Sequence, residues 1–158
     1  MDKHGNIRVF IVDDDKMYSE VLKHFIETSC KELEPHVEIF VVGETFLMSI
    51  DKKPDLVILD YSLNSKFTDA IDGLEVLKRI QETSPNTKVI MVSVKAESYL
   101  AMQAIDSGAY DYVVKDESAF EKIKSIVEEV YEEKRSFFQR IVNFFTGSRK
   151  TLEVLENR

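Results

Sequence analysis

Acidic side chains follow two apolar runs of this sequence at the point where each run ends. Asp13 and Asp14 come directly after "IRVFIV", and Asp60 ends the run that begins "DLVIL". Ser93 lies near the end of a third run, "KVIMVSV", and Lys115 follows a fourth, "YDYVV". Carboxylates that share one site repel each other unless a cation lies among them. Oxygen ligands from only a few side chains, with room for water and a phosphoryl oxygen, suit Mg²⁺ better than a metal that prefers nitrogen or sulfur.

Short apolar runs of this kind alternate along the chain with longer stretches of helical period. Several runs are apolar at successive positions, which is typical of strands covered on both faces. Parallel neighbours need a crossover, and right-handed crossovers place helices on both faces of a sheet. We therefore predict an α/β fold, a doubly wound five-stranded parallel sheet in which the polar groups meet at one edge. The predicted strands are Ile7–Val12, Val37–Val42, Asp55–Leu59, Lys88–Val94 and Tyr110–Val114.

Polar residues with capping spacing mark the starts of several helices. Asp72 with Glu75 and Ser118 with Glu121 have the spacing of a capping box. Asp15 precedes the first helical stretch, and we interpret it as an N-cap because Asp is preferred at that position. Each of the other polar groups has an ordinary structural explanation when it is taken alone. Their joint placement on one edge of the predicted sheet is what favours a functional site.

Composition narrows the class of protein. The chain has 158 residues, the usual size of one domain, and a formal net charge of -8 from 29 acidic and 21 basic side chains. This charge argues against direct nucleic-acid binding. A single Cys30 cannot form an internal disulfide, and the sequence shows neither a signal peptide nor an apolar run long enough to span a membrane. The predicted location is the cytoplasm.

The chain resembles the receiver domain of two-component response regulators over about residues 7 to 133. The resemblance rests on "IVDDD", "VILDYSL", "VIMVSVKAE" and "SGAYDYVVKD". It implies a flavodoxin-like receiver fold and a signalling protein, not a conventional enzyme, that accepts a phosphoryl group from a sensor histidine kinase or a phosphotransfer protein. The implied roles are an acidic pair around Mg²⁺ at Asp13 and Asp14, the phosphoacceptor at Asp60, a metal-binding backbone carbonyl at Ser62, a switch hydroxyl at Ser93, a switch aromatic at Tyr112 and a phosphoryl-pairing cation at Lys115.

Three departures from the receiver pattern are visible, one of them Val94, which follows the switch hydroxyl where the family commonly has a small residue. The loop after the acceptor, residues 61–72, is longer than usual, and Asn64 stands where the family commonly has Pro. Asp116 replaces the frequent Pro after Lys115, which leaves the geometry of that peptide bond open. The alternative function is a degenerate receiver that binds proteins without phosphorylation. A haloacid dehalogenase type of phosphatase is excluded because it needs a second Asp where this chain has Ser62.

The C-terminal region contains an aromatic segment that the receiver fold does not need. No Gly or Pro occurs from Ser118 to Phe145, and "FFQRIVNFF" lies beyond the part of the helix that covers the sheet. We therefore divide the chain into a receiver domain, residues 1–133, and a helical extension, residues 134–158. A free monomer would expose too much apolar surface, which predicts a partner. Dimerisation through a two-helix seam is the preferred interpretation, ahead of folding back onto the domain and of membrane-surface binding.

Overall fold

Five parallel strands and five helices alternate in the computed structural model, which describes residues 6–63 and 71–156, with side chains described as far as residue 147. The strand order is β2-β1-β3-β4-β5, and every neighbouring pair is parallel. The predicted doubly wound five-stranded parallel sheet is therefore confirmed. The elements are β1 Arg8–Val12, α1 Lys16–Ser29, β2 His36–Phe40, α2 Gly43–Leu47, β3 Leu56–Asp60, α3 Gly73–Thr83, β4 Lys88–Ser93, α4 Ser98–Asp106, β5 Asp111–Val114 and α5 Ala119–Glu156.

The sheet separates two apolar layers. Side chains that alternate along the central strands point in turn to α1 and α5 on one face and to α2, α3 and α4 on the other. Leu22 and Ile123 belong to the first layer, and Phe46 and Leu77 belong to the second. All five residues of β3 are buried. Because both layers cover it, β3 is a rigid support for the acid at its end.

All three helices begin directly after the predicted cap residue, and two of the three predicted side-chain caps form. Asp15 Oδ1 accepts the backbone N–H of Tyr18 at 3.0 Å, which confirms Asp15 as the N-cap of α1. Asp72 Oδ1 accepts the backbone N–H of Glu75 at 2.9 Å at the start of α3. Ser118 does not act as predicted: its hydroxyl donates to Asp116 Oδ1 at 2.7 Å. The aspartate caps this turn because its carboxylate also accepts the Ser118 N–H at 2.8 Å.

Helix α5 leaves the domain near Lys134. The ammonium of Lys134 donates to the carbonyl of Asn6 and to Asp55 Oδ2, both at 2.8 Å, and this contact closes the amino-terminal edge of the sheet. Beyond it the helix continues without a break to Glu156. Four phenylalanine side chains of this part are exposed by 53% to 71%: Phe137, Phe138, Phe144 and Phe145. Among the described helices, none is both long enough and apolar enough to cross a bilayer.

Candidate functional site

Three carboxylates meet at the carboxyl ends of β1 and β3. Asp13 follows β1 and is held there by its backbone N–H, which donates to the carbonyl of Phe40 at 3.0 Å. Asp60 is the last residue of β3. Asp13 and Asp60 are only 1% and 5% exposed, and Asp14 beside them is half-buried. One oxygen from each of the three lies within 4.8 Å of the others, which is a set that could hold a metal ion.

Lys115 joins two of these acids. Its ammonium lies 2.6 Å from Asp13 Oδ2 and 3.0 Å from Asp60 Oδ1, and its side chain is 12% exposed. The backbone places it, because the N–H of Lys115 donates to the carbonyl of Ser93 at 2.7 Å. Residues from the ends of three strands, 13, 60 and 115, are therefore in direct contact, as the sequence predicted.

The positive charge of Lys115 does not fully compensate the crowded acids. Burial, followed by the negative charge of Asp13, raises the pKa of Asp60 to about 6. Burial also raises the pKa of Asp13, and the hydrogen bond from Lys115 offsets only part of that rise. Burial alone would lower the pKa of Lys115, but the hydrogen bond and charge of Asp13 raise it. A divalent cation among these oxygens would relieve the remaining repulsion, so the residues fit Mg²⁺.

The acids line an open depression of about 470 Å³. Ser62 and Val94 form part of its wall, so the residue predicted to offer a backbone carbonyl lies at the site. Val94 is 72% exposed and stands at the rim. The depression is also lined by Asp13, Asp14, Asp15, Lys16, Asp60 and Lys115. The acids are therefore accessible from solvent through this depression.

Ser93 and Tyr112 share one backbone partner in the loop that follows β4. The hydroxyl oxygen of Ser93, which is fully buried, accepts the backbone N–H of Lys95 at 3.1 Å. The hydroxyl of Tyr112 donates to the carbonyl of the same residue, Lys95, at 2.8 Å. The two predicted switch side chains are therefore linked through the loop that follows β4.

Two contacts at the end of β3 were not foreseen from the sequence. The ring of Tyr61 packs edge-on against that of Tyr112, with centroids 6.3 Å apart, and its hydroxyl donates to Gln103 Oε1 at 3.2 Å. Gly73 begins α3 so close to β3 that a Cβ there would lie 2.2 Å from the carbonyl oxygen of Asp60. A glycine directly after the Asp72 cap was the available signal for the second contact. No local pattern marks the first.

The sequence also raised two questions, about the lengthened loop after β3 and about the peptide bond after Lys115. Asn64 and the rest of residues 64–70, which form most of the lengthened loop, lie outside the described residues. The peptide bond between Lys115 and Asp116 is trans, because the described residues contain no cis peptide bond.

Comparison with known proteins shows which family this architecture represents. The family described as the response regulator receiver domain matches residues 9–128. The chemotaxis protein CheY of Listeria monocytogenes is 31% identical over 113 residues, which cover 69% of this chain and 86% of CheY. The response regulator VraR of Staphylococcus saprophyticus is 27% identical over 76% of this chain, and the match spans about half, 54%, of VraR. The solved BeF3-activated DrrB receiver domain has a TM-score of 0.68 and 27% identity, covering 81% of this chain and 99% of that one.

The chain belongs to the response regulator receiver domain family of two-component signalling. Phosphorylation of an aspartate and a magnesium ion at an acidic pocket are typical of this family, and its members are signalling modules. The acidic group formed by Asp13, Asp14 and Asp60 lies where such a pocket is expected.

The raised pKa of Asp60 predicts a specific pH dependence of stability in the metal-free protein. The folded value of about 6 lies above the ordinary value of 3.8, so the folded state binds the proton more tightly than the unfolded state. The favourable contribution is complete below the unfolded pKa and is lost as pH rises through the folded pKa. Relative to Asp60→Asn, the wild type should lose about 2 kcal/mol of unfolding free energy between about pH 4 and pH 7. Urea unfolding in EDTA measures this difference, and parallel pH curves for the two proteins would contradict it.

Proposed function

We propose that this chain is a phosphoacceptor receiver in which Asp60 takes a phosphoryl group in a Mg²⁺-dependent reaction. The donor is a phosphohistidine on a sensor histidine kinase or a phosphotransfer protein. One observation carries the proposal: the Lys115 ammonium lies 3.0 Å from the buried Asp60 carboxylate, at the floor of an open depression. This arrangement places a nucleophile and a positive charge where a phosphoryl group can enter.

The residues suit the transfer step as follows. A carboxylate oxygen of Asp60 attacks phosphorus, the phosphorus–nitrogen bond of the donor breaks, and its electron pair remains on the donor imidazole. Because β3 is buried on both faces, the carboxylate is held in position for an in-line approach. Lys115 neutralises charge on the phosphoryl oxygens. Asp13, Asp14, Asp60 and the Ser62 carbonyl would hold Mg²⁺, which supplies further neutralisation when it is bound.

Phosphorylation then acts on the linked side chains behind the site. The acyl phosphate brings about two negative charges and new acceptor oxygens. The hydroxyl of Ser93 turns toward them and gives up the backbone N–H of Lys95, which frees the loop that Tyr112 also holds. The result is a shift in population between two existing conformations, which changes partner binding. We place this switch in the cytoplasm. A degenerate receiver is not favoured, since every reactive position is filled.

The test of this function is phosphate uptake from a small donor. The protein is incubated with acetyl phosphate, with Mg²⁺ in one sample and EDTA in the other, and its intact mass is measured. One added phosphate in the Mg²⁺ sample only is the expected result. Equal masses in the two samples would reject the proposal.

We also propose that residues 1–133 form the receiver and residues 134–158 a separate contact element whose partner is a second copy of this chain. The exposed aromatic face continues the face with which α5 packs on the sheet, since Val130, Phe137, Ile141 and Phe144 follow at helical spacing. Phe137 lines a depression beneath the domain together with Pro54, Pro85 and Val130. The apolar face therefore lies on the domain side of the helix. A flat membrane would be held away from it by the domain, whereas another helix fits there.

The exposed area is large enough for such pairing. The four phenylalanines of the extension are 53% to 71% exposed. At about 150–250 Å² for each aromatic side chain, they leave roughly 500 Å² of apolar surface in water on each chain. Two copies would bury about 1,000 Å² from these residues alone, close to the lower limit of a specific interface.

Ile141→Glu should dissociate the dimer by placing a charge in the apolar seam. A seam charge left unpaired on burial costs several kcal/mol, so the dissociation constant should rise at least about 100-fold. Light scattering should give the mass of one chain, 18.3 kDa, for this variant and twice that mass for the wild type. The chain lacking residues 136–158 should give the smaller mass of its own monomer.

Asn143→Glu adds the same charge on the polar face and should leave the dimer intact. A wild-type protein that is monomeric, or that instead sediments with anionic vesicles, would contradict this partner.

A further inference from the structure

The ring of Tyr18 lies against the ammonium of Lys115. The distance from Lys115 Nζ to the ring centroid is 4.4 Å, which is within the range of a cation–π contact. It is the third contact of this ammonium, after Asp13 at 2.6 Å and Asp60 at 3.0 Å. The two acids and the ring together leave the Lys115 side chain only 12% exposed.

The position of the ring is fixed from two sides. The backbone N–H of Tyr18 donates to the N-cap, Asp15 Oδ1, at 3.0 Å, which places the residue in the first turn of α1. On the other side its ring packs edge-on against Phe120 in the first turn of α5, with centroids 5.7 Å apart. The ring of Phe120 in turn packs against that of Phe25, with centroids 5.2 Å apart. The ring is therefore part of the packing between two helices and cannot follow a moving lysine.

The hydroxyl of Tyr18 makes no comparable contribution. It is buried, and among the described residues it has no hydrogen-bond partner. Burial raises the pKa of Tyr18 to about 12, so the phenol stays neutral at physiological pH. A buried hydroxyl without a partner costs free energy. The aromatic ring is thus the part of the side chain that has a favourable contact at this site.

We propose that Tyr18 is a positioning residue for the phosphoryl transfer: its ring holds the Lys115 ammonium at the edge of the Asp13–Asp60 pair and excludes water from one side of it. The inference rests on the proposed function, because it concerns the cation that meets the phosphoryl group. A lysine ammonium ends a flexible four-carbon stem and is strongly hydrated. Asp13 and Asp60 attract the Lys115 ammonium but do not fix its position on their own. A third contact is needed to hold the ammonium in one place. Tyr18 supplies that partner.

Three substitutions separate the ring from the hydroxyl. Tyr18→Phe keeps the ring and removes the unpaired hydroxyl, while Tyr18→Leu and Tyr18→Met remove the ring and keep an apolar side chain. The rate of phosphate uptake from acetyl phosphate is measured at saturating Mg²⁺, alongside the Mg²⁺ dissociation constant and the unfolding free energy of each variant. Leu and Met variants should lose about tenfold in rate, the range of a desolvated cation–π contact. Their Mg²⁺ affinity should stay within about twofold of wild type, because the ion is held by carboxylates.

The Phe variant should transfer phosphate at the wild-type rate, within about twofold, which is rescue by the ring alone. Equal loss in the Phe and Leu variants would overturn the inference, because the hydroxyl would then be the active part. It would also be overturned if both ring-less variants keep the wild-type rate, or if their rate falls only in proportion to the folded fraction. If wild type itself takes up no phosphate, the proposed function fails, and that result is distinct from all of these.

Discussion

Asp60→Asn is expected to take up no phosphate from acetyl phosphate at any Mg²⁺ concentration. The amide has nearly the same shape as the carboxylate, so the fold should be retained, but it is not a nucleophile at phosphorus. Uptake should fall by at least about 100-fold relative to wild type. Intact mass spectrometry after incubation checks this result, with the wild type run in parallel.

Two other acids serve as controls for that experiment. Asp14→Asn replaces a charged carboxylate of the proposed metal site with a neutral amide and leaves the nucleophile, so phosphate uptake should recover as the Mg²⁺ concentration rises. Asp106→Asn changes an exposed acid at the end of α4 that does not line the depression, and it should behave as wild type. Phosphate found on the Asp60→Asn protein would show that another residue is the acceptor.

Among the glycines that the structure describes, Gly73 should be the one whose replacement by alanine destabilises the protein most. The added Cβ would lie 2.2 Å from the carbonyl oxygen of Asp60 and 2.9 Å from that of Tyr61, and neither backbone atom can move aside without shifting β3 or α3. Overpacking of this kind costs about 1 to 3 kcal/mol, occasionally more, and here it displaces the acceptor itself. The variant should therefore lose both unfolding free energy in urea and most of its phosphate uptake.

Gly147 provides the matched control. A Cβ at this exposed helical position would meet no atom within 4 Å beyond its chain neighbours and the nearby backbone of its own helix. Because alanine is the better helix former, Gly147→Ala should stabilise the helix by about 0.5 to 1 kcal/mol. If the two alanine variants have equal stability, the close approach of α3 to β3 does not constrain the site.

The parts of the fold that could be predicted are those governed by local pattern. Strands buried on both faces appear as unbroken apolar runs, so β1, β3 and β4 were located to within about a residue or two. The caps at Asp15 and Asp72 followed from side-chain chemistry within one helical turn. Parallel pairing then carried Asp13, Asp60 and Lys115 to one edge of the sheet, since all strands end on the same side. For this reason the grouping of these three residues could be predicted from the sequence.

The parts that could not be predicted depend on distances across the fold. The capping box expected at Ser118 was wrong, because the neighbouring carboxylate of Asp116 is a stronger acceptor than a hydroxyl and satisfies the same turn. The contact of Tyr18 with Lys115 joins residues from α1 and the end of β5, and no spacing rule relates them. Tyr61 could be placed beside Asp60, but its approach to Tyr112 and Gln103 required the packing of α4.

The unbroken course of α5 gives the molecule a lever arm. Its first turn touches the ring that contacts Lys115, its middle is anchored at Lys134, and about 22 residues continue beyond that anchor to Glu156. At 1.5 Å per residue this free part is about 33 Å long, so a tilt of about 5° at the anchor moves its tip by roughly 3 Å. Side-chain adjustments too small to alter the sheet would thus be magnified mechanically, far from Asp60.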